Sequence, residues 1–182
     1  MPSGVGAVGT AAPPTPTDRV LVLCAQVLAE AGVAAAELTA IAVGAGPGSF
    51  TGLRIGLATG KGLAYALGKP LWLASSLAAL AYDLAAVTPD DSALLVPALD
   101  ARRGELYVGC FRRAADARLA AVADERVLAP AALADVIAGL GGRAHLAGDA
   151  LATYGEALAA LPTTVVRHAS PRTPSALSLI HI

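Results

Sequence analysis

The sequence predicts an α/β fold arranged as two lobes. Up to about residue 90, short apolar runs alternate with segments of helical periodicity, in the order helix, strand, helix, strand and helix. Beyond that point two adjacent apolar runs meet at Arg103 and Gly104, which is typical of a β-hairpin, and further helices and strands follow. The predicted division is a disordered leader at 1–17, a first lobe at 18–90, a second lobe at 91–170 and an unstructured tail at 171–182.

The composition sets limits on function. Hydrophobic residues make up 55% of the 182 residues and charged residues 15%, which is enough for a core and suggests that some apolar surface meets a partner. The net charge of -1 argues against a general binder of nucleic-acid backbones. No uncharged apolar run reaches the roughly 18 residues of a membrane span. Cys24 and Cys110 lie in separate apolar segments, so we expect two reduced, buried thiols in a cytoplasmic protein.

The first lobe is delimited by ordinary start and stop signals. We expect a helix with Asp18 as its N-cap and Gly32 just beyond its end. A short buried strand at 40–43 then leads into a glycine-rich loop. The remaining predicted elements are a helix from near Ser49 to Gly68, a strand at 71–74, and a helix capped by Ser75 or Ser76 that ends before Pro89.

The second lobe is predicted to begin with the hairpin. After its two strands we expect a helix at 130–139, a strand at 144–148, a helix at 150–161 and a strand at 163–167. No convincing element follows Arg172.

The glycine-rich loop reads GAGPGSFTGLRIG and lies between Val43 and Leu57. Backbone N–H groups at a helix start can hold a phosphate, but the spacing is not that of a P-loop and Pro47 removes one N–H. Ser49 is predicted to cap the next helix rather than to act as a nucleophile with Thr51, since no base is evident. The loop residues singled out are Gly46, Pro47, Gly48 and Ser49.

Small residues recur every fourth position along the helix that follows this loop. Each interior glycine costs about 1 kcal/mol in helix propensity, so close approach of another backbone should offset the cost. Spacing leaves open whether that backbone belongs to the protein's own sheet or to another subunit. The ridge comprises Gly52, Gly56, Gly60, Ala64 and Gly68, flanked by apolar Phe50, Leu53 and Leu57 and by the basic residues Arg54 and Lys61.

Two polar groups remain. Charged residues cluster at the hairpin turn, and these are Asp100, Arg102, Arg103 and Glu105. They could contact a nucleic acid or a protein partner, but for Arg102 and Arg103 we favour solvated side chains, and Asp100 could cap Gly104 or orient the turn. The histidines, which are His145, His168 and His181, have no carboxylates at ligand spacing. We therefore expect structural or solvent-facing roles and no metal site.

Two long stretches, AVGAGPGSFTGLRIGLATGKGLAYALGKPL and PALDARRGELYVGCF, resemble the TsaB (YeaZ) family. The resemblance covers roughly residues 18–166 and implies an actin-like ASKHA (ribonuclease H-like) fold of two lobes. The family begins with strands that carry an Asp-Thr-Ser/Thr-type motif, and here a Pro/Gly-rich leader stands in their place. We therefore expect a first lobe without its first strands, and our hypothesis is a TsaB-type chain truncated at both ends.

The resemblance also implies a function. A TsaB-type protein is a non-catalytic subunit that dimerises with TsaD, which transfers threonylcarbamoyl to adenosine 37 of tRNA, while the ATPase TsaE joins the complex. The stretch KPLWLASSLAALAYD lacks the metal-binding histidines of TsaD, and neither a cofactor nor a catalytic residue is expected. A homodimer through the same face is the alternative assembly, since an apolar helix pair can be self-complementary. The implied contact residues, on the first two helices, are Leu21, Cys24, Leu28, Phe50, Gly52, Leu53, Arg54, Gly56, Leu57, Gly60 and Lys61.

The alternative is an ASKHA-type nucleotide-binding kinase or ATP hydrolase that uses the glycine-rich loop. Such an enzyme needs an acidic phosphate loop near the N-terminus, which is not recognisable here. It also needs a glycine-rich adenosine loop, for which 139–142 and Gly148 with Asp149 are weak candidates.

Overall fold

The computed structural model describes residues 16–176 and residue 178. The first lobe contains two helices and a two-stranded parallel sheet. Its elements are α1 (Pro16–Ala31), β1 (Ile41–Gly46), α2 (Phe50–Leu67) and β2 (Leu71–Ser75), with a short 3-10 helix at Ala35–Glu37. The leader predicted at 1–17 falls almost wholly outside the described residues, and α1 begins at Pro16, two residues before the predicted cap.

Local chemistry sets the ends of these helices much as predicted. α1 ends at Ala31 and Gly32 follows with a φ of +66°. Ser49 caps α2 by accepting from the N–H of Gly52 at 3.4 Å, and Gly68 ends it in the left-handed conformation. α3 (Ser76–Ala86) is capped by Ser75, whose hydroxyl accepts from two backbone N–H groups at 3.1 Å.

The second lobe is built on a five-stranded mixed sheet. The strands are β3 (Leu94–Arg102), β4 (Glu105–Arg113), β5 (Leu119–Leu128), β6 (Ala144–Ala147) and β7 (Val165–Arg167), in the spatial order β5-β4-β3-β6-β7. β3, β4 and β5 are antiparallel neighbours, whereas β6 and β7 run parallel to β3. The remaining helices are α4 (Leu133–Leu140), which follows a 3-10 turn at Pro130–Ala132, α5 (Ala150–Thr153) and α6 (Gly155–Ala159).

Two predictions for the second lobe are corrected by the structure. β5 was not predicted. Its sequence LAAVADERVL is rich in alanine and charged residues and lacks the apolar run of a buried strand, because most of its residues are exposed at the edge of the sheet. The helix predicted at 150–161 is two short helices separated at Tyr154, whose φ of -118° lies outside the helical range.

The buried core lies almost entirely in the second lobe. α3 packs on one face of the five-stranded sheet, where Leu77, Leu80 and Leu84 meet Leu95 and Phe111. α4 and α6 cover the other face. Although we predicted α3 as part of the first lobe, its apolar side chains belong to the second lobe's core. None of the described helices is long and apolar enough to cross a membrane.

The first lobe, by contrast, leaves much of its apolar surface open. Among the described residues before α3, Ala64 is the one apolar side chain that counts as buried. β1 and β2 pair in parallel from Ile41 with Leu71 onward, and they form the whole described sheet of this lobe. Trp72 is 65% exposed on β2. The expectation of a first lobe with unpaired strand edges and open apolar surface therefore fits the described residues.

Candidate protein-interaction surface and interlobe cavity

α2 packs on its own sheet through part of the glycine ridge. A Cβ built on Gly60 would overlap Cγ2 of Val43 on β1, and one on Gly56 would contact Cγ1 of the same valine at 3.8 Å. α2 can therefore approach β1 closely because Gly60 lacks a side chain, whereas a Cβ at Gly56 would make only an ordinary van der Waals contact. The neighbour that requires a glycine at position 60 is the protein's own Val43, so Gly60 is left out of the candidate surface, as is Gly56, which faces the same valine.

A second row of small residues lies on the outer side of α2 and was not singled out from the sequence. Ala58 and Gly62 are four residues apart, and nothing lies within 4 Å of a Cβ built on Gly62. With Leu21 of α1 and Leu63 they line an open groove of about 340 Å³, together with Thr59. Because both ridges repeat every fourth residue, the sequence pattern does not tell which of them faces the sheet.

Further apolar side chains are exposed on α1 and at the start of α2. Val27 is 63% exposed, and Leu21, Val22 and Leu23 also face solvent. At the start of α2, Phe50 is 73% exposed and carries the guanidinium of Arg54 at 5.3 Å from its ring centre. We call this surface the α1–α2 face. It comprises Leu21, Val22, Leu23, Val27, Phe50, Arg54, Ala58, Gly62 and Leu63.

The other predicted contact residues occupy different environments. Lys61 is exposed on α2, whereas Cys24 and Leu28 are half-buried on α1. Leu53 and Leu57 are also half-buried, and Leu53 packs 3.1 Å from the position of a Cβ on Gly46. A side chain at Gly46 would be strained as well, since its φ is +106°. Gly52 is exposed beside its own cap, Ser49.

A cavity of about 570 Å³ lies between the two lobes. From the first lobe it is lined by the predicted loop residues Pro47, Gly48 and Ser49, and from the second by Asp100 and Asp149. Its remaining lining is Phe50, Gly52, Leu53, Ser76, Leu99, Ala101, Arg102, Tyr107, Thr173 and Pro174. No described histidine lines this cavity, so Ser49 has no imidazole base beside it there.

The carboxylates of this cavity are held by the protein itself. Asp100 accepts from the hydroxyl of Tyr154 at 2.8 Å and from the N–H of Arg102 at 2.7 Å, while its own N–H donates to Asp149 at 2.9 Å. Burial acts to raise the pKa of Asp100, but the hydrogen bonds from Tyr154 and Arg102 outweigh it and lower the pKa overall. The same bond to Asp100 raises the pKa of Tyr154.

This arrangement confirms that Asp100 orients the hairpin turn. Arg102 and Arg103 both have positive φ values, and the hydrogen bond from Arg102 to Asp100 supports that backbone. The side chains of Arg102, Arg103 and Glu105 are exposed, as expected of a solvated turn.

The lining of this cavity is poorly suited to binding the phosphates of a nucleotide. Asp100 and Asp149 line the same cavity as the loop before α2 and disfavour a phosphate there, with Arg102 as the opposing cation, and Pro47 has no N–H to donate. The candidate adenosine loop at 139–142 is engaged elsewhere, because Arg112 donates to the carbonyls of Leu140 and Gly141 at 3.0 and 2.7 Å. Among the residues that the structure describes, no three of His, Cys, Asp and Glu are grouped to hold a metal ion.

The architecture of the chain and its similarity to solved structures define its fold class. A mixed sheet of this order, with helices on both faces and a second lobe beside it, is an actin-like ASKHA fold. A family model described as "TsaD: tRNA N6-adenosine threonylcarbamoyltransferase" matches residues 4–179. The solved structure of YeaZ from Pseudomonas aeruginosa superposes with a TM-score of 0.75 at 33% identity, over 90% of this chain and 74% of that one.

Curated relatives give the narrower family. The TsaB proteins of Haemophilus influenzae and Escherichia coli, both named as tRNA threonylcarbamoyladenosine biosynthesis proteins, are 39% and 35% identical over 93 and 97 residues. These matches take in 51% and 53% of this chain but 39% and 41% of the relatives, so the chain matches about two fifths of their length. The chain belongs to the TsaB (YeaZ) family, as its two sequence motifs predicted.

Proposed function

We propose that the protein is a non-catalytic partner subunit in the synthesis of threonylcarbamoyladenosine on tRNA. In this proposal it dimerises with a TsaD-type subunit, which transfers threonylcarbamoyl to adenosine 37. A TsaE-type ATPase joins the pair in the cytoplasm, and tRNA is reached through the complex. Support comes from the names of the TsaB relatives and from the open α1–α2 face.

The α1–α2 face is the observation that carries this proposal. The axes of packed helices lie about 8–10 Å apart, and small residues at the contact permit the shorter distances. The groove floor is made by Ala58 and Gly62. The exposed side chain of Leu21 borders this floor and supplies apolar area. A helix of the TsaD-type partner is therefore the occupant we propose for the groove.

The first test is co-purification with the TsaD-type protein of the same organism, measured by size-exclusion chromatography with light scattering. We expect a one-to-one complex. A chain shown to be folded by circular dichroism that forms no such complex would contradict the proposal. If the chain alone has the mass of two copies, addition of the partner should convert that homodimer into the heterodimer, since both would use one face.

A matched pair of variants locates the contact. Ala58→Glu places a charge on the groove floor, where the free chain leaves it in water but docking would bury it. We expect the Kd for the partner to rise at least about tenfold, which is about 1.4 kcal/mol. Ala159→Glu, on an exposed position of α6 in the second lobe, is the control and should leave the Kd unchanged.

Melting temperatures of the two free variants should match that of the parent chain. Equal weakening by both variants, or none by Ala58→Glu, would mean that the partner docks elsewhere.

A further inference from the structure

The fold brings together two histidines that lie 23 residues apart in sequence. His145 is on β6 and is 5% exposed, and His168 directly follows β7. Nδ1 of His145 lies 2.8 Å from Nε2 of His168, and the two ring centres are 5.0 Å apart with the ring planes inclined at 29°. A separation of 2.8 Å is that of a hydrogen bond, so one hydrogen lies between the two nitrogens.

Thr88 indicates which ring carries that hydrogen. Its hydroxyl has a single hydrogen, which it donates to the carbonyl of Leu84 at 2.9 Å. Towards Nδ1 of His145, at 3.3 Å, the hydroxyl oxygen is therefore an acceptor. The hydrogen belongs on Nδ1 of His145, where it serves both Thr88 and His168.

In this arrangement a further proton has no favourable place. Nε2 of His145 is buried and has no hydrogen-bond partner among the described residues, so a proton there would be a buried, unpaired charge. A proton on Nε2 of His168 would face the hydrogen on Nδ1 of His145. To avoid that contact, His145 would have to move its hydrogen to the same unpartnered Nε2.

The charged groups around the two histidines do not make the binding of a further proton favourable. Burial comes first in lowering the pKa of His145, and the positive charge of His168 lowers it further. Arg143 also lowers the pKa of His145, whereas the carboxylate of Asp90, which follows α3, raises it. That carboxylate already accepts hydrogen bonds from the N–H and the hydroxyl of Ser92, at 2.9 and 2.7 Å. Burial also lowers the pKa of His168.

Two other arginines lie on the surrounding elements, and both are engaged with backbone carbonyls. Arg113 on β4 donates to the carbonyls of Ala85 and Thr88, and Arg167 on β7 donates to the carbonyl of Leu158 at 2.7 Å. Arg113 is also paired with the carboxylate of Asp91, whose Oδ1 lies 2.8 Å from its Nε, and neither arginine supplies an acceptor for a further proton.

The pair lies at the end of the weakest strand of the second sheet. β7 has three residues and pairs with β6 alone among the described strands, from Ala144 with Val165 to Leu146 with Arg167. Directly after it, the N–H of His168 donates to the carbonyl of Leu146 at 2.9 Å. So short an edge strand depends strongly on what fastens its ends.

We propose that His145 and His168 form a proton-operated latch. With one shared hydrogen the pair holds β7 against β6, and uptake of a further proton separates the rings and releases β7 while β3 and β4 stay paired.

Release would also loosen one wall of the interlobe cavity. Thr173 and Pro174 line that cavity and lie five and six residues after His168. Ser175 remains fastened, because its N–H and its hydroxyl both donate to Asp83 of α3 at 2.8 Å. Residues 169–174, between His168 and Ser175, would then be held only at their C-terminal end, by Ser175.

The test is backbone hydrogen exchange as a function of pH, corrected for the intrinsic exchange rates. As the pH falls below about 6.5, the ordinary histidine pKa, towards the lowered pKa of the closed pair, the opening constant for the amides of Val165–Arg167 and His168 should rise by up to about tenfold per pH unit for each proton taken up. It should level off below the lowered pKa. The amides of β3 and β4 should not follow. His168→Gln keeps a hydrogen-bonding side chain but does not titrate, so it should weaken the pH dependence to that of His145 alone, whereas the control His181→Gln should keep it in full.

Three results would overturn the proposal: a flat response in the parent chain, an equal loss of protection in β3 and β4, or an unchanged pH dependence in His168→Gln. Ring ¹⁵N spectra of the parent chain give a test that needs no variant. They should show His145 at neutral pH with its hydrogen on Nδ1, and a hydrogen on Nε2 would contradict the latch.

Discussion

At the scale of single residues, the hydrogen bond between Tyr154 and Asp100 ties the short helices of the second lobe to the hairpin turn. Tyr154 lies between α5 and α6, and Asp100 lies near the end of β3. The carboxylate in turn supports the positive φ of Arg102 through its N–H. One hydroxyl therefore supports two pieces of irregular backbone through a single carboxylate.

Tyr154→Phe should remove this bond and leave the ring in place. We expect a loss of about 1 kcal/mol in the free energy of unfolding, measured by urea denaturation at neutral pH. The pKa of Asp100 should also rise in the variant, because the hydroxyl of Tyr154 is one of the donors that lower it. Carboxyl ¹³C titration by NMR would show this rise.

Tyr65→Phe is the control for that variant. Tyr65 is 92% exposed on α2, so removal of its hydroxyl should change neither the stability nor the pKa of Asp100. A Tyr154→Phe variant that behaves like the control would mean that Asp100 is held sufficiently by the N–H of Arg102.

At the scale of elements, α2 presents two different rows of small residues to two different neighbours. The row through Gly60 lies against Val43, and the row through Ala58 and Gly62 faces outward. The first row permits close packing within the lobe. The second leaves a groove that a partner helix can enter, so one helix serves both the fold and the proposed interface.

Gly60→Ala and Gly62→Ala should have opposite effects on stability. At Gly60 the added methyl would overlap the stiff, branched side chain of Val43, and we expect a loss of about 1–3 kcal/mol. At Gly62 the methyl meets open space, so the gain in helix propensity should stabilise the chain by up to about 1 kcal/mol. Urea denaturation of both variants measures the difference, and effects of the same sign would contradict the assignment of the two rows.

At the scale of the whole molecule, the two lobes differ in how much they bury. The twelve largest fully buried side chains among the described residues all lie in α3 or in the second lobe. The first lobe relies on a two-stranded sheet, and such a sheet is marginal without further cover. Open apolar surface and low intrinsic stability therefore coincide in the lobe that we propose as the docking site.

Hydrogen exchange at neutral pH should reveal this difference. The amides of β1 and β2 should exchange faster than those of β3 and β4, after correction for intrinsic rates, because fewer buried contacts oppose opening of the first sheet. Addition of the TsaD-type partner should slow exchange in α1 and α2. Equal protection of the two sheets in the free chain would show that the first lobe is stabilised by contacts beyond those described.

The sequence by itself determined the features that depend on neighbours along the chain. The order of most elements, the caps at Ser49 and Gly68, and the hairpin at Arg103 and Gly104 follow from residue type and spacing, and the two long motifs identified the family. Tertiary structure alone decided the rest. Which row of α2 faces the sheet, where β5 pairs, and that His145 meets His168 all depend on packing between distant segments. Local periodicity carries no information about such contacts, because the partner lies tens of residues away.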